Sequence, residues 1–248
     1  MASTSETGHA RNVANFEKMI AICAGYGAKF NPSNPNLQID ALRDVLTKSR
    51  ASLGEVNTQL AAYKKAVGAR QSCYNTLKPL STRLVNALAA TDAPAKLKSD
   101  CKNINRKIQG TRTGSSKSNT GDAATAAQSE PTEKSISTSR QSFDLLAEHF
   151  SGLIALLESE PGFQPNETAL QLPALKTCHA DIMKANASAA DGSVALANAR
   201  MARNNALYAA KTGLCEVAGS IKVYVKSLFG AGSPEYKQIA GLQFSKVK

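Results

Sequence analysis

The sequence predicts an all-α protein made of two homologous antiparallel helical-bundle repeats with long coiled-coil-like helices, joined by a flexible linker. Three observations carry that reading. Residues 30–42 (FNPSNPNLQIDAL) and 163–175 (FQPNETALQLPAL) match without a gap at a spacing of 133. Apolar positions after the first match recur in a 4,3 pattern, the mark of a helix packed along its length. The stretch 111–136 is rich in Gly, Ser, Thr and Ala and has no apolar periodicity, which is the composition of a linker.

The identities in the repeat are Phe30/Phe163, Pro32/Pro165, Leu37/Leu170, Gln38/Gln171, Ala41/Ala174 and Leu42/Leu175. The same spacing pairs Ala66 with Ala199, Ala69 with Ala202, Arg70 with Arg203 and Lys78 with Lys211. One residue out of step, Phe16, Ile20 and Ala21 face Phe150, Ile154 and Ala155. A duplication makes each copy one packing unit. The expected division is therefore 1–110, a basic bundle, 111–136, the linker, and 137–248, a second bundle.

In the first copy a helix is expected from Ser5 to Cys23, ended by the glycine and proline of YGAKFNPSNP. A second opens near Asn36 and carries Leu42, Leu46, Ser49, Leu53, Val56, Leu60, Tyr63 and Val67 at 4,3 spacing. It is expected to stop near Thr76, before Lys78 and Pro79, because proline disfavours helix in the residue before it. A short helix Leu80–Ala90 follows, then one over Ala93–Ile108 with Asp92 as N-cap. The second copy repeats the plan with helices near Ser137–Glu158, Thr168–Ala209, Thr212–Phe229 and Pro234–Ala240. Its seam is weaker, since His179, Asn186 and Arg200 stand where the first copy has Leu46, Leu53 and Val67. Pro173 delays the start of its long helix and puts a turn before it. Ser233 is the expected N-cap of the last helix, with Pro234 at its first position.

Composition narrows the class further. Aromatic residues make up only 5% of the 248 and tryptophan is absent, so the core is built mainly from Ala, Leu, Val and Ile. No apolar run approaches the ~20 residues that span a bilayer, and MASTSETGHARN lacks the apolar stretch of a secretory signal, which makes the cytoplasm the expected compartment. The five cysteines are scattered and never form a CxxC pair, as expected of reduced and mostly buried thiols.

Charge is uneven. Residues 1–110 hold 16 basic against 7 acidic residues, 111–136 hold 3 against 3, and 137–248 hold 11 against 9. Lys98, Lys102 and Arg106 fall at i, i+4 and i+8 of one helix, flanked by Lys96 and Lys107. These five are the candidate contacts to an anionic partner such as nucleic acid or an anionic surface. No aromatic residue interleaves with them for stacking, which favours a solvated helix face.

Catalytic patterns are lacking. None of the three histidines stands in HExxH or at metal-ligand spacing, and no GxxxxGKS or GxGxxG loop occurs. Cys178 and His179 are neighbours, but adjacent helical residues point about 100° apart. The glycines of FGAGSPEY suit a helix stop followed by a start. No cofactor is expected. The stretches GHARNVANFEKMI, YGAKFNPSN, LVNALAATDA with KIQG, ARMARNNALY and VKSLFGAGSPEYKQI resemble an uncharacterised bacterial family of duplicated helical proteins, and the resemblance implies a bacterial, cytoplasmic, all-helical protein with no transferred catalytic residue. The expected function is that of a non-enzymatic structural or scaffolding protein, homo-oligomeric or bound to a protein partner. The alternative is a basic nucleic-acid-binding protein acting through the first copy.

Overall fold

The computed structural model describes residues 4–110 and 142–245. The expected linker, and the expected helix start at Ser137, lie outside the described residues. Those described form an all-α structure of seven helices, with no strand among them. The helices are α1 (Thr4–Gly25), α2 (Ile39–Ala89), α3 (Ala95–Gln109), α4 (Phe143–Glu158), α5 (Leu172–Tyr208), α6 (Leu214–Phe229) and α7 (Pro234–Ala240).

The chain divides into two compact units, one of Met1–Lys64 with Asp191–Lys248 and one of Lys65–Ala190. This division crosses the one drawn along the repeats, because 1–64 and 65–110 fall in different units. Helix length gives the reason. At 1.5 Å per residue α2, with 51 residues, is about 77 Å long, whereas a small domain is only about 30 Å across. One core covers only part of such a helix.

In the first unit α1 packs on α6 and α7, with the start of α2 and the end of α5 completing the bundle. Val13, Phe16, Met19, Ile20 and Cys23 recur every three or four residues on α1, so a single face meets the core. Opposite them lie Leu42, Leu46, Leu207, Leu214, Ala218, Ile221 and Val225. A smaller cluster joins Val56, Leu196 and Ala199 with Leu60 and Tyr63. There α5 comes close enough to α2 that a Cβ on Gly192 would lie 3.3 Å from the Tyr63 Cα.

In the second unit α3 packs on α4 around the end of α2 and the start of α5. Tyr74, Leu77, Leu84, Leu88, Cys101, Ile108, Phe150, Leu153, Leu157, Leu175 and Ile182 fill this core. Leu42 and Leu175 are both fully buried, as are Phe16 and Phe150. The short 3-10 turns Pro35–Leu37 and Thr168–Leu170 lie 133 residues apart, and α2 and α5 each begin two residues later. The turn before α5 and the placing of Pro173 in its first residues agree with the expectation drawn from that proline.

Two expectations about the first copy are corrected. Helix α2 does not stop before Pro79 but runs through it to Ala89. A helix-interior proline costs about 3 kcal/mol. Against that cost, Tyr74 and Leu77 before Pro79 and Leu84, Val85 and Leu88 after it are all buried in one core. Asp92 does not cap α3 either. The N-cap residue is Pro94, and Lys98 donates from Nζ to the Thr91 carbonyl at 2.5 Å, holding the turn ahead of the helix. The expected break does occur 133 residues on, where Lys211 takes a left-handed conformation at φ 67°. Close to it Gly213 packs so tightly that a Cβ would collide with the backbone nitrogen of Ala209. Gly213→Ala is expected to destabilise the protein by about 1–3 kcal/mol, measured as a lower urea midpoint, because a backbone atom has to move. An unchanged midpoint would mean the turn is slack.

The last helix follows its sequence signal. Ser233 Oγ accepts from the Tyr236 N–H at 3.1 Å, with Pro234 at the first helical position.

Candidate functional site

The basic residues expected to form a stripe all lie on α3, but they do not form an uninterrupted one. Lys98 is half-buried and turned back to the Thr91 carbonyl. Lys96 pairs with Asp100 at 3.4 Å, one turn along the same exposed helix surface. Lys102, Arg106 and Lys107 are exposed, and Lys107 lies near enough to His149 to help burial hold that imidazole below its usual range. Acidic and self-bonded groups thus interrupt the positive face. Its remaining capacity is weak, long-range attraction of anions rather than a cradle for one.

The two arginines spaced by 133, Arg70 and Arg203, differ in setting. The Arg70 guanidinium lies 4.1 Å from the centre of the Phe143 ring, a cation–π contact within the second unit. Arg203 is buried at 5% exposure and donates from Nε and Nη2 to Asn204 Oδ1 at 3.2 and 2.9 Å. Both are built into packing. Near Arg70 the Tyr74 hydroxyl donates to the Phe143 carbonyl at 2.6 Å and accepts from Asn186 Nδ2 at 2.9 Å. An open depression of about 360 Å³ beside this group is lined by Gln71, Tyr74, Asn75, Lys78, Ile108 and Phe143. Among the described residues that lining holds no carboxylate, imidazole or thiol, and only one lysine and one tyrosine as groups that can donate or accept a proton in acid–base work.

Cys178 and His179, adjacent on α5, both border the second core. Cys178 packs at the edge of the second core, and His179 stands 6.3 Å, centre to centre, from Phe150. Burial pushes the Cys178 thiol up, and it does the same to Cys101. Cys23 is pushed up to about 12 by burial. Below pH 9 this thiol is neutral in both folded and unfolded chains and costs nothing. Between pH 9 and about 12 the unfolded chain gains a thiolate that the folded one withholds, so stability falls through that window. Native protein at pH 8 is accordingly expected to leave Cys23 unmodified by a thiol reagent that labels all five cysteines in urea. Rapid native labelling of Cys23 would contradict its burial. Among the described residues no three His, Cys, Asp or Glu side chains come together to hold a metal ion. No described helix is long and apolar enough to cross a membrane.

One surface lies outside everything the basic stripe suggested. On the part of α5 that belongs to the first unit, Val194, Ala197 and Met201 follow a 3,4 spacing, and all three are exposed. In the first unit Val194 is 61% exposed and Met201 62%, one heptad apart on one helix. The core-facing stripe of the same helix is a different one, Leu175, Ile182, Ala189, Leu196 and Arg203 at intervals of seven. The signal for the second stripe was present in the sequence as a run of alanines, but alanine alone does not separate a buried face from an exposed one.

Comparison with family models, with curated proteins and with solved structures returns no match, so the functional reading rests on the chain's own geometry.

Proposed function

We propose that this chain is a non-enzymatic structural or scaffolding protein of the cytoplasm, a duplicated helical protein like the family it resembles, which self-associates through α5. The observation that carries the reading is the exposure of Val194 and Met201 one heptad apart on a face without charge at the seam positions. Burying a side chain of that size contributes about 1.5–3 kcal/mol, and two helices meeting on such a seam interdigitate as a coiled coil does. The light-scattering mass of nuclease-treated protein over a concentration series tests it. A mass several times 26.1 kDa, or one that grows with concentration, is expected. A constant mass of 26.1 kDa would sink the proposal.

The second reading, a contact to nucleic acid or an anionic surface through Lys96, Lys98, Lys102, Arg106 and Lys107, is favoured by the excess of 9 positive charges in residues 1–110. It predicts an affinity that falls steeply with salt and is lost when Lys98, Lys102 and Arg106 are changed to Gln. Binding that survives this change would leave α3 as a solvated face.

A further inference from the structure

After α7, residues 242–245 adopt no regular secondary structure, and side chains of α1 and α6 bond their backbone. Asn12 engages Ser245 twice, its Oδ1 accepting from the Ser245 N–H at 3.0 Å and its Nδ2 donating to the Ser245 carbonyl at 2.8 Å. Asn15 Nδ2 donates to the Gln243 carbonyl at 2.7 Å. From the facing helix Lys222 Nζ donates to the carbonyls of Leu242 at 2.6 Å and Ala240 at 3.3 Å, and lies 5.6 Å from the centre of the Phe244 ring.

Of these groups Asn12 also has partners outside the segment. Asn12 is 1% exposed, and its Nδ2 also lies 3.2 Å from the Tyr208 hydroxyl, which in turn is 2.7 Å from His9 Nδ1. Such an amide keeps one orientation because several neighbours fix it. Burial along the segment alternates. Leu242 is buried, Gln243 exposed, Phe244 half-buried and Ser245 exposed. That is the period of an extended strand with one face inward. Main-chain bonds plus pockets for alternate side chains are also how extended peptides are recognised, the bonds giving affinity and the pockets selectivity.

We propose that the surface of α1 and α6 formed by Asn12, Asn15 and Lys222 is a peptide-binding site for an extended segment with apolar residues two apart, and that residues 242–245 of a second copy dock on it by exchange with the chain's own. The contacts are the same whichever copy supplies them, so exchange conserves every bond and is governed by concentration and by the connection through α7. Its use as a link between copies rests on the self-association reading, whereas its geometry does not.

The probe is a fluorescein-labelled peptide of residues 240–248, AGLQFSKVK. Titrated by anisotropy into the chain ended at Gly241, it is expected to bind saturably. In the full chain the apparent affinity falls at least about tenfold, because the tethered segment competes at an effective concentration near the millimolar range. A peptide with serine in place of its leucine and phenylalanine is expected to lose binding, and Asn15→Ala in the shortened chain to weaken it several-fold. Should the shortened chain not fold, about 1 mM peptide on the wild-type full chain is expected to shift the side-chain amide resonances of Asn12 and Asn15. Absence of both the anisotropy change on a folded shortened chain and the amide shifts on the full chain would overturn the proposal, as would equal binding of the serine peptide. The readout is taken on dilute protein, so it stands or falls apart from the mass measurement that tests α5.

Discussion

Phe150→Ala is expected to lower the unfolding free energy by about 3–5 kcal/mol, the range for deleting a fully buried aromatic side chain. Phe150 has no exposed surface, lies 6.3 Å, ring to ring, from His179 of α5, and shares its core with Leu146, Leu153, Ile154 and Leu157 of its own helix. This core draws on four separate stretches of helix, which cannot all close on one cavity, and that puts the cost toward the upper end. Urea unfolding followed by circular dichroism measures the change, with an unaltered slope showing that the unfolded state is the same. Hydrogen exchange locates it. Phe150 lies in the unit Lys65–Ala190, so amides of α3 and α4 are expected to lose protection before those of α1 and α6. A loss below about 1 kcal/mol would mean that the α3–α4 contact is loosely packed.

That core was legible in the sequence because its signal is local. Phe150 and Ile154 recur at helical spacing, and Ser233 and Pro234 mark a helix start by side-chain and backbone chemistry that acts over four residues or fewer. The Pro79 region was misjudged for the converse reason. Local chemistry there favours a stop, but the continuation is decided by burial of Leu84 and Leu88 against α3 and α4, contacts that residue order does not display. The same holds for the division into units. Matching residues recur at a spacing of 133, yet which half of α2 packs with which half of α5 depends on partners far apart in sequence, such as Val56 with Leu196 and Tyr74 with Asn186. The basic residues were placed correctly on one helix. Their pairing was not foreseen, because Lys98 bonds a carbonyl seven residues behind it, outside the i, i+4 pattern that defined the stripe. The polar group of His9, Asn12 and Tyr208 left no local trace at all, since about 200 residues separate its members.

Replacing Val194 and Met201 together by Glu is expected to reduce the light-scattering mass to that of a single 26.1 kDa chain at concentrations where the parent associates. Both residues are more than 60% exposed, and glutamate is a good helix former, so the substitution leaves α5 and the core beneath it intact. In an associated state the same positions lie in the seam. There two apolar side chains are lost and two carboxylates per copy are desolvated or forced apart, which amounts to about 3 kcal/mol or more and a weakening of at least about 100-fold in dissociation constant. Circular dichroism and the urea midpoint of the variant serve as the control for folding. The comparison that decides between the two functional readings is the variant Lys102→Gln with Arg106→Gln, at exposed positions on α3. It is expected to keep the parent's mass and to lose only salt-sensitive binding to a nucleic acid. If the glutamates leave the mass unchanged while the α3 variant lowers it, the copies meet through the basic face, and the apolar stripe of α5 faces solvent in the assembly.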